Sequence, residues 1–236
     1  MNAQHGNRDD AEIRKFEALA ARWWDPNSEF RPLHEINPLR MGFISGKINP
    51  AGQHCIDIGC GGGILSEALA HQGAQVTAID LAEASLAVAR LHKLESGLDI
   101  RYENIAAETM AEQEPGQYDI VTCLEMLEHV PDPEAIVEAC VKLAKPGGHI
   151  FFSTLNRNPK SWLFAIVGAE YVLNLLPKGT HDYAKFIKPS ELASWCRHYG
   201  LEQGELTGMG YNPLTKRYRL QNDIDVNYLV HYRKPA

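Results

Sequence analysis

Apolar side chains in the first fifty residues recur at intervals of three and four, which predicts helices that each bury one face. The clearest set is Ile13, Phe16, Leu19 and Trp23. Asp9 and Glu12 stand where they can cap this helix. A second helix is predicted over residues 38–48, because Pro38 suits a first helical turn. The first helix either packs on the domain surface or also serves as a lid over a ligand site.

From residue 53 onward, short β-rich runs alternate with helical stretches, which is typical of βαβ units around a mostly parallel sheet. The predicted strands cover residues 54–58, 75–80, 99–103, 118–124 and 148–153. Helices are predicted over residues 62–72, 83–96 and 133–144, and one more follows Pro189 and ends at Gly200. Two last runs, near 201–210 and 226–233, could form an antiparallel pair. We find no internal repeat or linker, so one α/β domain is expected.

Composition and charge narrow the class of protein. Hydrophobic residues make up 44% of the chain and charged residues 22%, as in folded globular proteins. The net charge of -7 argues against nucleic acid as a partner. Five cysteines without a C-x-x-C pair argue against a disulfide framework and a structural zinc site. The charged N-terminus lacks the apolar core of a signal peptide, so a cytoplasmic location is expected.

A glycine-rich segment joins the first predicted strand to the helix that follows. Four glycines in five residues let backbone N–H groups approach a ligand, and the helix start adds free donors. The segment departs from the dinucleotide fingerprint G-x-G-x-x-G, since Ile64 stands in place of its last glycine. Asp80 ends the second strand 21 residues after Gly59, where an acidic side chain can accept ribose hydroxyls.

The pattern D-x-G-x-G-x-G, here Asp57, Gly59, Gly61 and Gly63, resembles motif I of the class I S-adenosylmethionine-dependent methyltransferases. In that class the loop wraps the amino acid end of the cofactor, so the resemblance implies that these four residues and Asp80 bind S-adenosylmethionine. Leu124 and the residues after it follow the fourth strand, where they suit adenine and the methionine chain. The implied fold is Rossmann-like: a mostly parallel seven-stranded sheet with helices on both faces, N-terminal helices and a helical insertion after strand five.

Segments along nearly the whole chain, most of them outside this core, resemble one family, the bifunctional O-methyltransferases of ubiquinone biosynthesis, which act on polyprenylated phenols and quinols. The matching stretches include RWWD (22–25), HEINPLR (34–40), EMLEHVPDP (125–133), STLNRN (153–158), PKGTHD (177–182) and DVNY (225–228). The resemblance implies two O-methylation steps on one active site. It also implies that Arg40 contacts the cofactor, as a clamp on the methionine carboxylate. The resemblance further implies that Gly59, Asp80 and Leu124 contact the cofactor.

Methylation of a phenol requires that its proton be removed, because the pKa of a phenol is roughly 10. His129 is the first candidate base, since it follows the fourth strand at the carboxyl edge and titrates in a suitable range. His181 in the GTHD stretch is the second. A structural histidine bonded to the backbone is the alternative interpretation of His129.

Glu125, Glu128 and His129 form an E-x-x-E-H pattern, which places the three side chains on one face if the segment is helical. Oxygen-rich ligation suits a hard ion such as Mg²⁺, which could bind catechol oxygens and lower their pKa. Helix capping and surface charge are the alternative role of the two glutamates.

Residues 161–176 form an apolar run of 16 residues, too short for a bilayer span of about 20. Basic residues flank it at Arg157, Lys160, Lys178, Lys185 and Lys188. This composition is typical of a segment at an anionic membrane surface, although a helix buried over the active site is equally consistent. Peripheral contact of residues 160–188 with the inner face of the cytoplasmic membrane is therefore expected.

One domain with four parts is predicted: a helical cap (1–50), a cofactor-binding core (53–153), an insertion (157–190) and a C-terminal helix with strands (191–236). Other functions stay open at this point. They are methylation of another small acceptor, methylation of ring carbon, a dehydrogenase, and a non-catalytic cofactor-binding scaffold in a complex of ubiquinone biosynthesis.

Overall fold

The computed structural model describes residues 7–158, 161, 183–212 and 214–236 of the chain. Within these ranges one sheet has eight strands. They are β1 (His54–Ile58), β2 (Gln75–Asp80), β3 (Ile100–Asn104), β4 (Tyr118–Leu124), β5 (Ala144–Leu155), β6 (Glu202–Asn212), β7 (Arg217–Gln221) and β8 (Asn227–Arg233). Seven α-helices accompany them in the described ranges: α1 (Asp10–Leu19), α2 (Arg31–Ser45), α3 (Ile64–His71), α4 (Glu83–Ser96), α5 (Ala107–Gln113), α6 (Pro133–Leu143) and α7 (Pro189–His198).

The strand order in the sheet is β3-β2-β1-β4-β5-β8-β6-β7. The first five strands pair in parallel, and the last three extend the sheet by antiparallel pairing. The direction in which strands are added reverses between β1 and β4. In open α/β sheets, ligands bind outside the carboxyl ends of the strands at such a switch point.

Helices cover both faces of the sheet, and each face has its own apolar core. One core includes Met110 of α5, Val137 of α6 and Leu192 of α7, all fully buried. The other includes Ile44 of α2, Leu69 of α3 and Leu86 of α4. The α/β fold with helices on both faces is therefore as predicted.

The structure has eight strands and not the seven predicted. The additional strand is β7, a polar segment that pairs only with β6 in the described sheet. Strands β6 and β8 form the expected antiparallel pair, and β8 also pairs with β5. The short helix α5 was also not predicted, because its seven residues carry little periodic signal.

The second helix begins earlier than predicted. It starts at Arg31, with Pro32 in its first turn, and Pro38 lies inside it. An interior proline removes one backbone hydrogen bond and costs about 3 kcal/mol. The helix continues because Met41, Phe43 and Ile44, which follow Pro38, pack into the core.

Most of the predicted insertion, including residues 161–176 apart from Ser161, lies outside the described residues. Among the residues that are described, we find no helix long and apolar enough to cross a membrane. The division of the chain into cap, core, insertion and C-terminal part stays a prediction.

Candidate active site

A cavity opens at the carboxyl edge of the parallel strands, at the switch point. Its floor comes from the glycine loop and the ends of β1, β2 and β4, and its roof from α1 and the segment after it. The lining includes Glu12, Phe16, Trp23, Arg40, Asp57, Gly59, Gly61, Asp80, Leu124, Glu125 and His129. Most of the predicted site residues within the described ranges are thus brought together around one space.

The glycine loop between β1 and α3 is covered by tryptophan. Gly59, Gly61 and Gly63 all have positive φ, at 71°, 53° and 88°. A Cβ atom on Gly61 would overlap the indole ring of Trp23. The indole N–H of Trp24 donates to the Gly62 carbonyl at 2.9 Å. The loop therefore requires glycine both for its backbone conformation and for the close approach of Trp23.

Asp57 holds the loop from below. The residue is 3% exposed, and its carboxylate accepts hydrogen bonds from Ser66 at 2.7 Å and Thr122 at 2.8 Å. Burial raises the pKa of Asp57 to about 6, although both hydrogen bonds lower it. The residue thus links β1 to α3 and β4. Its predicted contact with a cofactor stays a prediction.

Asp80 ends β2 beside the glycine loop. One carboxylate oxygen accepts from the Gly61 N–H at 2.8 Å, and the other accepts from the Ala82 N–H at 2.8 Å. Burial raises the pKa of Asp80. A carboxylate has about four acceptor positions, so these two bonds leave capacity for further donors.

Arg40 places a buried cation at the cavity. The residue is 4% exposed, and its guanidinium pairs with Glu125. Burial lowers the pKa of Arg40 to about 10, while the charges of Asp57 and Glu128 raise it, so the side chain stays protonated at neutral pH. Its Nε atom is buried and has no hydrogen-bond partner in the described part of the chain.

Leu124 and Glu125 form the end of β4 at the cavity wall. Leu124 is the last residue of the strand, and Glu125 has φ of 49°, which is rare outside glycine. The Glu125 N–H donates to the Ser153 carbonyl at 2.9 Å, and its carboxylate accepts from the Ser153 hydroxyl at 2.8 Å. These bonds hold a conformation that costs about 1–3 kcal/mol.

The E-x-x-E-H residues do not share one helical face, contrary to the prediction. Glu125 turns the chain, and a 3₁₀ turn covers Leu127–His129. Glu125 pairs with Arg40, Glu128 accepts from Thr154 at 2.7 Å, and His129 contacts Glu12. In the residues that the structure describes, no three His, Cys, Asp or Glu side chains are grouped to hold a metal ion. The predicted Mg²⁺ ligand set is therefore not preformed.

His129 reaches the cavity from this turn. Its Nδ1 lies 3.0 Å from Oε2 of Glu12, and the ring of Phe16 meets it edge to face at 5.1 Å between centroids. The second candidate base, His181, lies outside the described residues.

Two cavity residues received no site role from the sequence. Trp23 lies in the RWWD stretch and in the apolar set of the first predicted helix, and neither signal indicated a role in the site. Asp9 caps α1 as expected, accepting from the Ala11 and Glu12 N–H groups. Glu12, expected as a cap, instead faces His129, 117 residues away, and no local pattern indicates that contact.

Comparisons with known proteins agree with this geometry. A family model described as "Methyltransferase domain" matches residues 29–205. The "Ubiquinone biosynthesis O-methyltransferase" of Pseudomonas aeruginosa (strain PAO1) is 63% identical over 230 residues, which cover 98% of this chain and 99% of that protein. The protein of the same name from Stutzerimonas stutzeri (strain A1501) is 65% identical, with the same coverage of both chains.

Among solved structures, magnesium protoporphyrin IX methyltransferase from Synechocystis PCC 6803 with bound SAH matches with a TM-score of 0.69 at 18% identity. The match covers 96% of this chain and 97% of that chain. At this identity the likeness shows the fold alone.

We expect Gly61→Ala to abolish binding of the S-adenosyl cofactor that the sequence predicts, because the new methyl group would overlap Trp23. Calorimetry with S-adenosylhomocysteine measures this. Gly97→Ala is the matched control, since Gly97 also has positive φ, at 67°, but no described atom lies within 4 Å of its Cβ position. The control should lose about 1–2 kcal/mol of stability and keep its affinity. A folded Gly61→Ala protein of normal affinity would contradict the role assigned to the loop.

Proposed function

The chain belongs to the family of ubiquinone biosynthesis O-methyltransferases, and on this premise we propose that it methylates phenolic hydroxyls of polyprenylated ubiquinone precursors. S-adenosylmethionine is the donor, and one active site serves two O-methylation steps. The observation that carries the proposal is a single cavity lined by the glycine loop, the buried cation of Arg40 and the imidazole of His129. The glycine loop and the guanidinium of Arg40 are suited to bind a methyl donor that has an amino acid end. The imidazole of His129 is suited to accept the proton of a phenol.

The donor fits the residues of the cavity. When bound, S-adenosylmethionine supplies a methyl group on a positively charged sulfur. The guanidinium of Arg40, whose Nε lacks a described partner, would bind the carboxylate of the methionine part. Asp80 would accept hydrogen bonds from the ribose, and Leu124 would contact the apolar parts of the donor. Asp57 would act by holding the loop through Ser66 and Thr122.

The acceptor reacts by in-line displacement. The phenolic O–H bond breaks, and the proton moves to Nε2 of His129. The bound donor would supply its methyl group to the phenolic oxygen, and the electron pair of the broken carbon–sulfur bond would stay on sulfur. A positioned base contributes about 10²–10⁴-fold to such a step. The proposed reaction contains no metal-bound step, because the three donors predicted for Mg²⁺ have separate protein partners.

We further propose that the protein is cytoplasmic and contacts the inner face of the membrane through residues 160–188, since a polyprenylated substrate resides there. Two of the flanking cations already have partners in the protein: Arg157 pairs with Glu191, and Lys185 with Asp9. The membrane proposal therefore rests on the apolar run and the remaining lysines of the segment. A complex of ubiquinone biosynthesis is a further expected partner.

The direct test is methyl transfer from labelled S-adenosylmethionine to a short-chain prenylated catechol and to a prenylated demethylated quinol. We expect label on oxygen in both products. Label on ring carbon, or only on another small phenol, would replace the proposed reaction. Cofactor binding without turnover would favour the scaffold, and binding of a nicotinamide cofactor would favour the dehydrogenase.

The same assay with a chelator tests whether the reaction requires a metal ion. We expect unchanged activity, and activity that is lost on chelation and restored by Mg²⁺ would contradict a reaction without a metal-bound step.

We expect His129→Ala to lower kcat by about 10²–10⁴-fold while the affinity for S-adenosylhomocysteine stays unchanged. His198→Ala, at the exposed end of α7, is the matched control. His181→Ala is assayed in parallel, because a decrease of kcat that occurs only in that variant would identify His181 as the base. An unchanged kcat in His129→Ala would remove His129 from the proton transfer.

We expect Trp162→Glu combined with Leu163→Glu to lower binding to phosphatidylglycerol vesicles by about tenfold or more, because two apolar anchors become anionic. Leu91→Glu with Leu94→Glu is the control. These leucines of α4 are 61% and 73% exposed, and the change adds the same charge. Vesicle binding that is the same in both double variants would refute the proposed membrane segment.

A further inference from the structure

The hairpin of β6 and β7 extends past the sheet at the edge where the cavity opens. Asn227, the first residue of β8, lies opposite Leu155, the last residue of β5, at the carboxyl edge of the parallel strands. The side chain of Asn227 accepts a hydrogen bond from the Met209 N–H of β6 at 2.9 Å. From there β6 continues to Asn212, which adds about 10 Å at roughly 3.3 Å per residue. The tip of the hairpin therefore projects beyond this edge.

The two faces of the hairpin differ in polarity. On the inner face, Leu220 packs against one of the two apolar cores. Because successive side chains of a strand point to opposite faces, the exposed Arg217 and Arg219 lie on the outer face. The residues opposite them on β6 are Asn212 and Gly210, which carry no charge. One face thus holds the hairpin to the domain, and the other presents cations.

Three cations and one leucine are exposed together at the end of the hairpin. We call this set the tip patch, and its members are Leu214, Lys216, Arg217 and Arg219. Leu214 is 93% exposed, more than any other large hydrophobic side chain in the described ranges. Among the described residues, no acidic side chain forms an ion pair with the three cations. The acidic residues Asp223 and Asp225 follow the opposite end of β7. In a chain of net charge -7, the patch is a local concentration of positive charge.

The turn that carries the tip patch has a defined conformation. Oδ1 of Asn212 accepts hydrogen bonds from the N–H groups of Leu214 at 2.9 Å and Thr215 at 3.2 Å. Lys216 has φ of 54°, a conformation that glycine adopts at lower cost. The turn itself therefore does not explain why a lysine stands at this position.

We propose that the tip patch docks the protein on an anionic lipid surface, with the cations at the headgroups and Leu214 inserted between them. The charge of the patch is complementary to such a surface, and the exposed leucine offers apolar area that lipid can cover. This inference deepens the proposed membrane contact, and it rests on the proposed function, which brings a lipid substrate to the cavity. The predicted insertion follows β5 at the same edge, so both surfaces can meet one membrane.

The experiment measures co-sedimentation of the full-length protein with vesicles of equal parts phosphatidylglycerol and phosphatidylcholine. The tip variant combines Lys216→Gly, which suits the left-handed turn, with Arg217→Gln and Arg219→Gln. Since each cation near an anionic surface strengthens binding about fivefold, we expect binding about 100-fold weaker at low salt. The unmodified protein should bind vesicles of phosphatidylcholine alone much more weakly.

The matched control removes the same charge at the other end of the strands. Lys142 and Arg197 lie in the last turns of α6 and α7, and Arg233 ends β8 at the amino edge of the sheet. We expect the combination Lys142→Gln, Arg197→Gln and Arg233→Gln to keep most of its vesicle affinity. Equal affinities of the control and the tip variant would overturn the inference, because only the net charge would then matter.

Leu214→Ser tests the apolar part of the patch. We expect it to weaken vesicle binding by about tenfold, and this loss should persist at high salt, where screening removes the contribution of the cations. Leu91→Ser on α4 is the control, since Leu91 is also exposed. An unchanged affinity in Leu214→Ser would overturn the insertion of the tip.

A different role of the cations predicts a different result. Charged side chains on an edge strand hinder its pairing with another chain. If that is their only role, the tip variant self-associates on size exclusion and keeps its vesicle affinity, which overturns the inference. No residue of the patch lines the cavity, so affinity for S-adenosylhomocysteine should stay unchanged in a folded tip variant.

The same measurements separate this inference from the proposals on which it rests. Vesicle binding that is lost in Trp162→Glu with Leu163→Glu but kept in the tip variant would overturn the tip patch alone. Methyl transfer to the prenylated catechol by a protein that does not bind the vesicles would do the same. Binding through the tip without any O-methylation would instead place the failure in the proposed function.

Discussion

The arrangement of the cavity depends on one buried guanidinium. Arg40 is 4% exposed, pairs with Glu125, and experiences the charges of Asp57 and Glu128. Removing a cation from water costs several kcal/mol unless opposite charges and hydrogen bonds replace the solvent. The three carboxylates come from β1 and from the segment after β4, so compensation of this one charge ties α2 to the switch point of the sheet. The cavity forms where these elements meet.

This compensation also explains the proposed chemistry. A guanidinium already held among carboxylates can bind the carboxylate of the donor without being moved or desolvated again. The roof of the cavity is also joined to the sheet by contacts between distant segments. Trp23 covers the glycine loop, and Glu12 contacts His129. The residues proposed to bind the methyl donor and the phenol thus come from elements that are far apart in the chain and converge at one edge of the sheet.

Local patterns predicted the parts of the structure that local forces determine. The sequence predicted strands β1 and β2 from their β-rich runs, and it predicted the loop after β1 from glycines within a few residues. The expectation that Glu125, Glu128 and His129 share one helical face was wrong, because Glu125 has a left-handed backbone conformation that a hydrogen bond to Ser153 stabilises. The contact of Glu12 with His129 spans 117 residues, so only the folded chain reveals it.

The most direct measurement is a crystal structure of the protein with S-adenosylhomocysteine, at a resolution that separates the side-chain partners of Arg40. We expect the carboxylate of the ligand to accept hydrogen bonds from the guanidinium of Arg40, and the ribose hydroxyls to donate to Asp80. A ligand whose carboxylate lies away from Arg40, while Arg40 keeps Glu125 as its only partner, would contradict the role proposed for Arg40.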